Sequence, residues 1–265
     1  MRKIEVCCTS VSDVIEAYCG GAVRVELCSA IGCGGVTPGY GLVTETLAAV
    51  RSLCAQDATR ERMRVNVLIR PREGSFHYSQ SEVRTMLSDI RFCRSAGVDG
   101  VVIGALTPDG DIDLDACREM VAAASGMNVT FHRAFDVTAD PEAALEQIIG
   151  LGCDRLLTSG QQPSALAGAK LISRLVKCAG DRIIVMPGSG VNPSNIAEIE
   201  YITGAVEYHS TARAAVPDPN RRQVPSLCFD EPAADIPSSD SLPVRHILRT
   251  SRDVVRALIS TGYPF

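Results

Sequence analysis

The hydrophobic and polar residues of this chain follow two alternating periods along most of its length. Short runs with a two-residue period, typical of strands, are followed by longer stretches in which apolar residues recur at helical spacing. Strands are predicted at residues 3–8, 22–28, 64–70, 99–104, 127–132, 153–158, 182–187 and 205–209. Helices are predicted at residues 11–19, 43–56, 80–96, 113–125, 140–150, 164–179 and 192–203, with a last one near 246–260. This order is typical of parallel α/β proteins.

The eight predicted strands, most of them followed by a helix, favour a closed (β/α)8 TIM barrel in one domain spanning residues 1–265, a length that suits one such barrel. A doubly wound open sheet is the alternative. No G-x-G-x-x-G motif follows the first predicted strand, which weakens the dinucleotide-binding form of that alternative. The segment at about 213–245 is rich in proline, serine and aspartate and has no period, so we predict an irregular loop there, before the last helix.

The charge and hydropathy of the chain argue against nucleic acid and membranes as partners. The net charge of −5 and the absence of a basic run give no attraction to nucleic acid or to an anionic membrane. No apolar stretch approaches the ~20 residues of a transmembrane helix, and the first residues lack the apolar core of a signal peptide. We therefore expect a soluble cytoplasmic protein with neither nucleic acid nor membrane as a partner.

Eleven cysteines, an odd count, are spread along the chain. An intracellular chain of this size needs no disulfide framework, and the lack of a C-x-x-C pair argues against a zinc ribbon or a thioredoxin-type motif. Cysteines within helical stretches are expected to act as small buried hydrophobes. Cys7, Cys8, Cys28 and Cys33 differ, because they lie where predicted strands end and loops begin.

The first two strands predict a polar barrel lumen. Because side chains alternate across a strand, Glu5 and Cys7 share one face of the first strand. Arg24, Glu26 and Cys28 share one face of the second. We expect these faces to line the lumen and the apolar faces to meet the helices. The carboxylates then lie roughly 6.6 Å deeper than the thiols, where simple ion pairing is the alternative to a functional role.

The two inward thiols are candidate metal ligands. Cys7 and Cys28 are predicted at equivalent heights on adjacent strands, about 4.8 Å apart. Cu(I) is a soft ion that prefers thiolates, so one ion bridged by both sulfurs is a natural interpretation. Cys8 is expected to face the helices by the same parity.

Other predicted strand ends carry further candidate residues. Arg70 ends the third strand, where a guanidinium suits a carboxylate or a phosphate. His132 ends the fifth strand and is a candidate base, metal ligand or donor, with Asp136 close enough in sequence to hold a ring nitrogen. His209 repeats this inward pattern on the eighth strand. For each of these residues, a structural ion pair or a buried core histidine is the alternative.

A glycine turn, Gly188-Ser189-Gly190, follows the seventh predicted strand and leads into a helix. Such a turn can hold an anion through backbone N–H groups, and many barrels bind phosphate at this position. Glycines are also needed simply to turn the chain, so the motif alone is a weak indication.

Several motifs, in order, resemble the CutC copper-homeostasis family over residues 4 to about 212. They are Glu5-Val6-Cys7, Arg24-Val25-Glu26-Leu27-Cys28, Gly34-Gly35-Val36-Thr37-Pro38, Ile69-Arg70-Pro71-Arg72, Phe76-His77-Tyr78-Ser79, Phe131-His132-Arg133-Ala134-Phe135-Asp136, Leu157-Thr158-Ser159-Gly160 and Met186-Pro187-Gly188-Ser189-Gly190. The resemblance implies a (β/α)8 barrel, intracellular and assembled as a homo-oligomer, linked to copper tolerance or Cu(I) binding. It also implies Cys7 and Cys28 as copper ligands. The chain departs from the family pattern at Cys33 and Gly39.

Three functions remain as hypotheses. The first, favoured because the resemblance is broad, is copper homeostasis with a copper ion as the partner. The second is an enzyme acting on a small anionic metabolite, with Glu26 or His132 as general base and Arg70 as anion clamp, and with Glu5 and the glycine turn in support. The third is a scaffold that binds partners through the barrel rim and the long loop.

Overall fold

The computed structural model describes residues 2–57, 59–218 and 246–260. Eight parallel strands form a nearly closed barrel in the order β7-β6-β5-β4-β3-β2-β1-β8, so the TIM-barrel prediction is confirmed. The strands are β1 (Lys3–Cys8), β2 (Arg24–Leu27), β3 (Arg64–Leu68), β4 (Gly100–Ile103), β5 (Asn128–Phe131), β6 (Arg155–Thr158), β7 (Ile184–Pro187) and β8 (Glu207–Ser210).

Helices cover the outside of the barrel. They are α1 (Val11–Gly20), α2 (Tyr40–Gln56), α3 (Gln80–Ala96), α4 (Leu114–Ala123), α5 (Pro141–Gly150), α6 (Ala169–Ala179), α7 (Ile196–Thr203) and α8 (Arg252–Ser260). Capping residues define where the helices begin and end, as α3 illustrates. At the start of α3, Ser79 and Glu82 cap each other reciprocally, and Gly97 closes the helix in the left-handed conformation. Within the described ranges, none of these helices combines the length and the apolar character that crossing a membrane requires.

Strand parity places the core as predicted. The buried side chains of Ile4, Val6 and Cys8 belong to the main apolar core between strands and helices. Cys7 and Cys28 belong to a separate, smaller cluster. The outer face of β1 is therefore apolar and includes the Cys8 thiol, whereas Cys7 and Cys28 lie on the inner side.

Two helices begin later than their sequence pattern predicts. The helices predicted at 164–179 and 192–203 begin at Ala169 and Ile196. Before α7, the side chain of Asn192 accepts hydrogen bonds from the backbone and the hydroxyl of Ser194, which forms a tight turn instead of a first helical turn. Before α6, the N–H of Ala165 donates to Ser189 O, so this segment is held by the loop after β7.

The C-terminal prediction was partly wrong. The predicted irregular segment begins with strand β9 (Arg213–Pro217), which pairs antiparallel with β10 (His246–Thr250). The last helix therefore spans only Arg252–Ser260 rather than 246–260. The ribbon is half-exposed, so it lacks the clear apolar alternation from which strands are predicted. The rest of the predicted loop, residues 219–245, lies outside the described residues.

Helix α8 packs closely against α1. A Cβ added to Gly20, the last residue of α1, would lie 2.5 Å from Val255 Cβ and 2.9 Å from Arg252 O. We expect Gly20→Ala to lower the free energy of unfolding by roughly 1–3 kcal/mol, because the two helices must separate. Urea denaturation measures this change.

Gly150→Ala is the matched control, because Gly150 ends α5 and a Cβ there meets no heavy atom within 4 Å. This substitution should leave stability unchanged or raise it by up to about 1 kcal/mol, since alanine favours the helix. Equal losses in both variants would contradict the close packing of α8 on α1.

Candidate functional site

A network of buried ion pairs fills the lower layer of the lumen. We call it the lumen ion network: Glu5, Arg24, Arg155 and Glu207. Arg24 donates to Glu5, and Arg24 Nη2 lies 2.7 Å from Glu207 Oε2. Arg155 Nε donates to the same Glu207 oxygen at 2.8 Å. All four residues are buried. Each charge therefore has an opposite charge beside it, as buried ions require.

These pairs set the ionisation of the carboxylates. Burial alone would raise the pKa of Glu5, but Arg24 and His209 outweigh it and lower that pKa to about 2. Burial likewise opposes the ionisation of Glu207, but Arg155 and Arg24 lower its pKa below the ordinary value. Both carboxylates are therefore anions at neutral pH. Glu5 lies one layer below Cys7, as the spacing along β1 predicts, whereas Glu26 stands level with Cys7.

His209 connects this lower layer to the barrel mouth. Strands β1 and β8 pair so that Glu5 stands opposite His209, and His209 Nδ1 lies 2.8 Å from Glu5 Oε1. Its other ring nitrogen, Nε2, lies 3.6 Å from Glu26 Oε2. Burial would lower the pKa of His209, but the hydrogen bond to Glu5 and the charge of Glu26 raise it. The imidazole is thus held between two carboxylates.

The two inward thiols are in contact. Cys7 Sγ and Cys28 Sγ are 3.3 Å apart, and both side chains are buried beside Leu68 and Val102. Contact with Cys28, burial and the charge of Glu26 together raise the pKa of Cys7, so its sulfur is a neutral thiol at neutral pH. Parity correctly predicts that both thiols face inward, but the predicted equal height is wrong, because Cys7 stands opposite Glu26 and Cys28 follows two residues later.

A cluster of three potential metal ligands, which was not predicted from the sequence, includes one of the two thiols. The ligand atoms of Cys7, Glu26 and His209 all lie within 4.8 Å of one another, and all three residues are buried. Cys7 stands opposite Glu26 in the pairing of β1 with β2. His209 comes from β8 on the other side of β1. Strand parity predicts that each residue points inward, but their convergence depends on the order in which the strands close the barrel.

A cavity of about 770 Å³ opens above these groups at the carboxyl ends of the strands. Its volume falls in the range of small-molecule sites. Its wall includes the predicted site residues Cys7, Glu26, Cys28, Arg70, His132, Asp136, Ser189, Gly190 and His209. Cys33 also lines it, with its thiol donating to Ala30 O at 3.0 Å.

The guanidinium of Arg70 is largely engaged by the protein itself. Its Nη1 donates to Cys33 O at 3.0 Å and to Gly35 O at 2.7 Å, and its Nη2 donates to Gly74 O at 3.0 Å. Arg70 therefore ties together the loops after β2 and β3. Only its buried Nε has no hydrogen-bond partner among the described residues, and the role of Arg70 as an anion clamp remains a prediction.

His132 is a neutral hydrogen-bond donor in this structure. Burial and the nearby charge of Arg70 lower its pKa to about 3. Its Nδ1 accepts a hydrogen bond from Ala134 N at 3.1 Å, so the ring proton is on Nε2. That nitrogen is buried and has no partner among the described residues. The general-base role of His132 remains a prediction; in this tautomer the nitrogen with no partner among the described residues carries the proton.

Asp136 does not hold a ring nitrogen of His132, contrary to the sequence prediction. Its carboxylate instead accepts hydrogen bonds from Thr158 Oγ1 at 2.5 Å, from Ser159 N at 3.0 Å and from Gln161 N at 3.2 Å. The backbone turns after His132 and points Asp136 toward the loop after β6. Asp136 is thus a clamp between two loops.

The glycine turn after β7 has a structural task. Ser189 and Gly190 have φ of 76° and 70°, a conformation that glycine adopts without strain and serine seldom adopts. Ser189 Oγ donates to Pro163 O at 2.9 Å, which ties the turn to the loop after β6. Gly188 leaves room for its neighbours, because a Cβ there would lie 2.5 Å from Leu157 Cδ1. Anion binding by this turn remains a prediction.

The fold and this cavity define a (β/α)8 barrel with thiol, imidazole and carboxylate groups at its carboxyl-end mouth. The family model described as the CutC family matches residues 2–214. The chain belongs to the CutC family, so the resemblance in its sequence motifs is confirmed.

Relatives and a solved structure agree with this assignment. A CutC protein of Parabacteroides distasonis is 51% identical over 215 residues, covering 81% of this chain and 84% of that protein. A CutC protein of Xylella fastidiosa is 44% identical over 246 residues, covering 93% of this chain and 87% of that protein. The crystal structure of CutC from Streptococcus agalactiae, named for copper homeostasis, has a TM-score of 0.73 and 32% identity, covering 80% of this chain and 99% of that one.

The loop clamp by Asp136 yields a stability prediction. We expect Asp136→Asn to lower the free energy of unfolding by roughly 1–3 kcal/mol, because an amide group then faces backbone donors that need acceptors. Chemical denaturation checks this value. Asp109→Asn, at an exposed position, serves as the control and should change stability by less than about 0.5 kcal/mol. A loss no larger than the control's would contradict the clamp.

Proposed function

We propose that this protein takes part in copper homeostasis and binds Cu(I) as cargo through Cys7 and Cys28. The observation that carries the proposal is the contact of 3.3 Å between the two buried sulfurs. Cu(I) is a soft ion that prefers thiolate ligands, and two adjacent sulfurs can both reach one ion. Membership of the CutC family, and the copper-related name of the solved relative from Streptococcus agalactiae, support the same role.

The surroundings of the two sulfurs suit a monovalent soft ion. Leu68 and Val102 pack beside them, so hard oxygen ligands are sparse on that side. The cavity gives the ion a path to the sulfurs from the barrel mouth. Because Cys7 is a neutral thiol without metal, binding of the ion by a Cys7 thiolate must release a proton.

Anaerobic competition for Cu(I) against a strong chromogenic chelator tests the proposal. We expect the wild type to remove Cu(I) from the chelator with a stoichiometry of about one, since both sulfurs serve one ion. The Cys7→Ser/Cys28→Ser variant should lose this capture, because serine offers no soft ligand.

Two single variants act as controls for other thiols. Cys8→Ser changes a buried thiol on the opposite face of β1, and Cys33→Ser changes a thiol elsewhere on the cavity wall. Both should compete as the wild type does. Retained capture in the double cysteine variant would overturn the assignment of the ligands, and failure of the wild type to compete would overturn the proposed copper role.

A second function has one observation in its favour. The buried Nε2–H of His132 and the buried Nε–H of Arg70 have no partner among the described residues, and both residues line the cavity. Unsatisfied buried donors favour an oxygen ligand. The same cavity holds Glu26, whose pKa burial raises, as a group able to exchange a proton. An enzyme acting on a small carboxylate- or phosphate-bearing compound fits this arrangement.

Thermal-shift measurements with small carboxylates and inorganic phosphate test this second function. One of these probes should raise the melting temperature of the wild type, and the rise should disappear in His132→Gln, which repositions the donor. Asp109→Asn, at an exposed position that does not line the cavity, should keep the rise. If no probe raises the melting temperature, or if His132→Gln keeps the full rise, this second function is contradicted.

A further inference from the structure

We propose that Cys7, Glu26 and His209 form a second metal site, for a borderline divalent cation such as Zn²⁺. This inference is separate from Cu(I) binding, which uses Cys7 with Cys28. It rests on a convergence of three buried ligand atoms from β1, β2 and β8, all within 4.8 Å of one another. Cys28 is not part of this group.

The separation of the histidine and glutamate ligand atoms suits a shared tetrahedral ion better than a hydrogen bond. His209 Nε2 and Glu26 Oε2 are 3.6 Å apart, which is longer than a hydrogen bond. Ligand atoms about 2.0–2.3 Å from a tetrahedral zinc ion lie roughly 3.3–3.8 Å from one another. The observed separation falls in that interval, so both atoms can bind one ion without a large movement.

The imidazole is already oriented for metal binding. Its Nδ1 is 2.8 Å from Glu5 Oε1, so Nδ1–H donates a hydrogen bond to that carboxylate, and Nε2 is the nitrogen that faces Glu26. Metal-binding histidines usually have such a carboxylate behind them, which fixes the tautomer and the ring orientation. Glu5 is itself held by Arg24 and approached by Asn66 Nδ2 at 3.5 Å. The support for the ligand is therefore part of the lumen ion network.

The chemistry of the three ligands selects a class of ion. Sulfur, nitrogen and oxygen together are typical of zinc sites, whereas Cu(I) favours sulfur alone and Mg²⁺ or Ca²⁺ favours oxygen alone. Three protein ligands beside a cavity leave one coordination position open, which is the arrangement of catalytic rather than structural zinc sites. His132, whose Nε2–H has no partner in the part of the chain that the structure describes, lines the same cavity, so an oxygen-bearing ligand can meet both the ion and this donor.

Anaerobic titration with Co²⁺ and Zn²⁺ tests the site directly. Co²⁺ bound by a thiolate gives a charge-transfer absorption band, and tetrahedral binding gives intense visible bands. We expect both in the wild type, followed by their loss when Zn²⁺ displaces Co²⁺. Cys7→Ser should remove the charge-transfer band. His209→Ala and Glu26→Gln should each weaken Zn²⁺ binding by at least about 100-fold, since even the loss of a supporting residue costs 10–100-fold.

Two variants separate this site from the proposed Cu(I) site. Cys28→Ser should keep the Co²⁺ spectrum but lose tight Cu(I) capture, whereas His209→Ala should keep Cu(I) capture but lose Co²⁺ binding. Cys8→Ser should keep both. If His209→Ala lowers the melting temperature, His209→Gln replaces it, because the glutamine amide can still donate to Glu5.

The two possible failures are distinguishable. Absence of the Co²⁺ spectrum in the wild type, or unchanged Zn²⁺ affinity in both His209→Gln and Glu26→Gln, would overturn the divalent site and leave the Cu(I) proposal untouched. Loss of Cu(I) capture with retention of the Co²⁺ spectrum would have the opposite meaning.

Discussion

The pairing of buried charges inside the barrel is the constraint on which the site depends. Glu5, Arg24, Arg155 and Glu207 come from four different strands, and each is buried. Removing one partner from such a pair typically costs roughly 3–5 kcal/mol, because the other charge is left buried and alone. The strands that carry the network must therefore keep their relative heights.

Those fixed heights place the chemical groups of the next layer. Cys7 is two residues beyond Glu5 on β1, and Glu26 is two residues beyond Arg24 on β2. His209 is two residues beyond Glu207 on β8. Cys7 and Glu26 thus stand one layer above Glu5 and Arg24, while His209 stands one layer above Glu207 and opposite Glu5. All three residues line the cavity. The lumen ion network thus holds the strands that carry Cys7, Glu26 and His209, and these three side chains face the cavity.

Strand parity explains how much of this arrangement could be predicted from the sequence. It correctly placed Cys7 and Cys28 inside the barrel and Cys8 outside, because alternation along a strand is a local property. It could not predict that Arg24 pairs with Glu207, since these residues are 183 positions apart and meet only when the barrel closes. For the same reason, the sequence did not predict that His209 converges with Cys7 and Glu26.

Hydrogen bonds made by side chains in loops were the second feature that could not be predicted from the sequence. The partner of Asp136 was expected to be His132, its near neighbour in sequence, but the backbone turn after β5 points the carboxylate toward the loop after β6. The late start of α7 and the ribbon of β9 and β10 likewise depend on side-chain turns and half-exposed pairing. Side-chain turns and half-exposed strands do not produce a clear hydrophobic period in the sequence, so the pattern did not predict them.

Cys7 belongs to both proposed sets of ligands, which gives the barrel mouth an unusual chemical character. With Cys28 it forms an all-sulfur pair suited to a soft ion, and with Glu26 and His209 it forms a mixed set suited to a borderline one. The two ions would compete for one sulfur atom. Copper and a divalent cation would therefore exclude each other at this position.

X-ray absorption at the copper edge of the Cu(I)-loaded protein tests the central claim most directly, because it identifies the atoms bound to the ion. We predict sulfur neighbours in the wild type, and no such sulfur-bound copper in the Cys7→Ser/Cys28→Ser variant. A spectrum dominated by nitrogen and oxygen neighbours, or an unchanged sulfur signal in that variant, would contradict it.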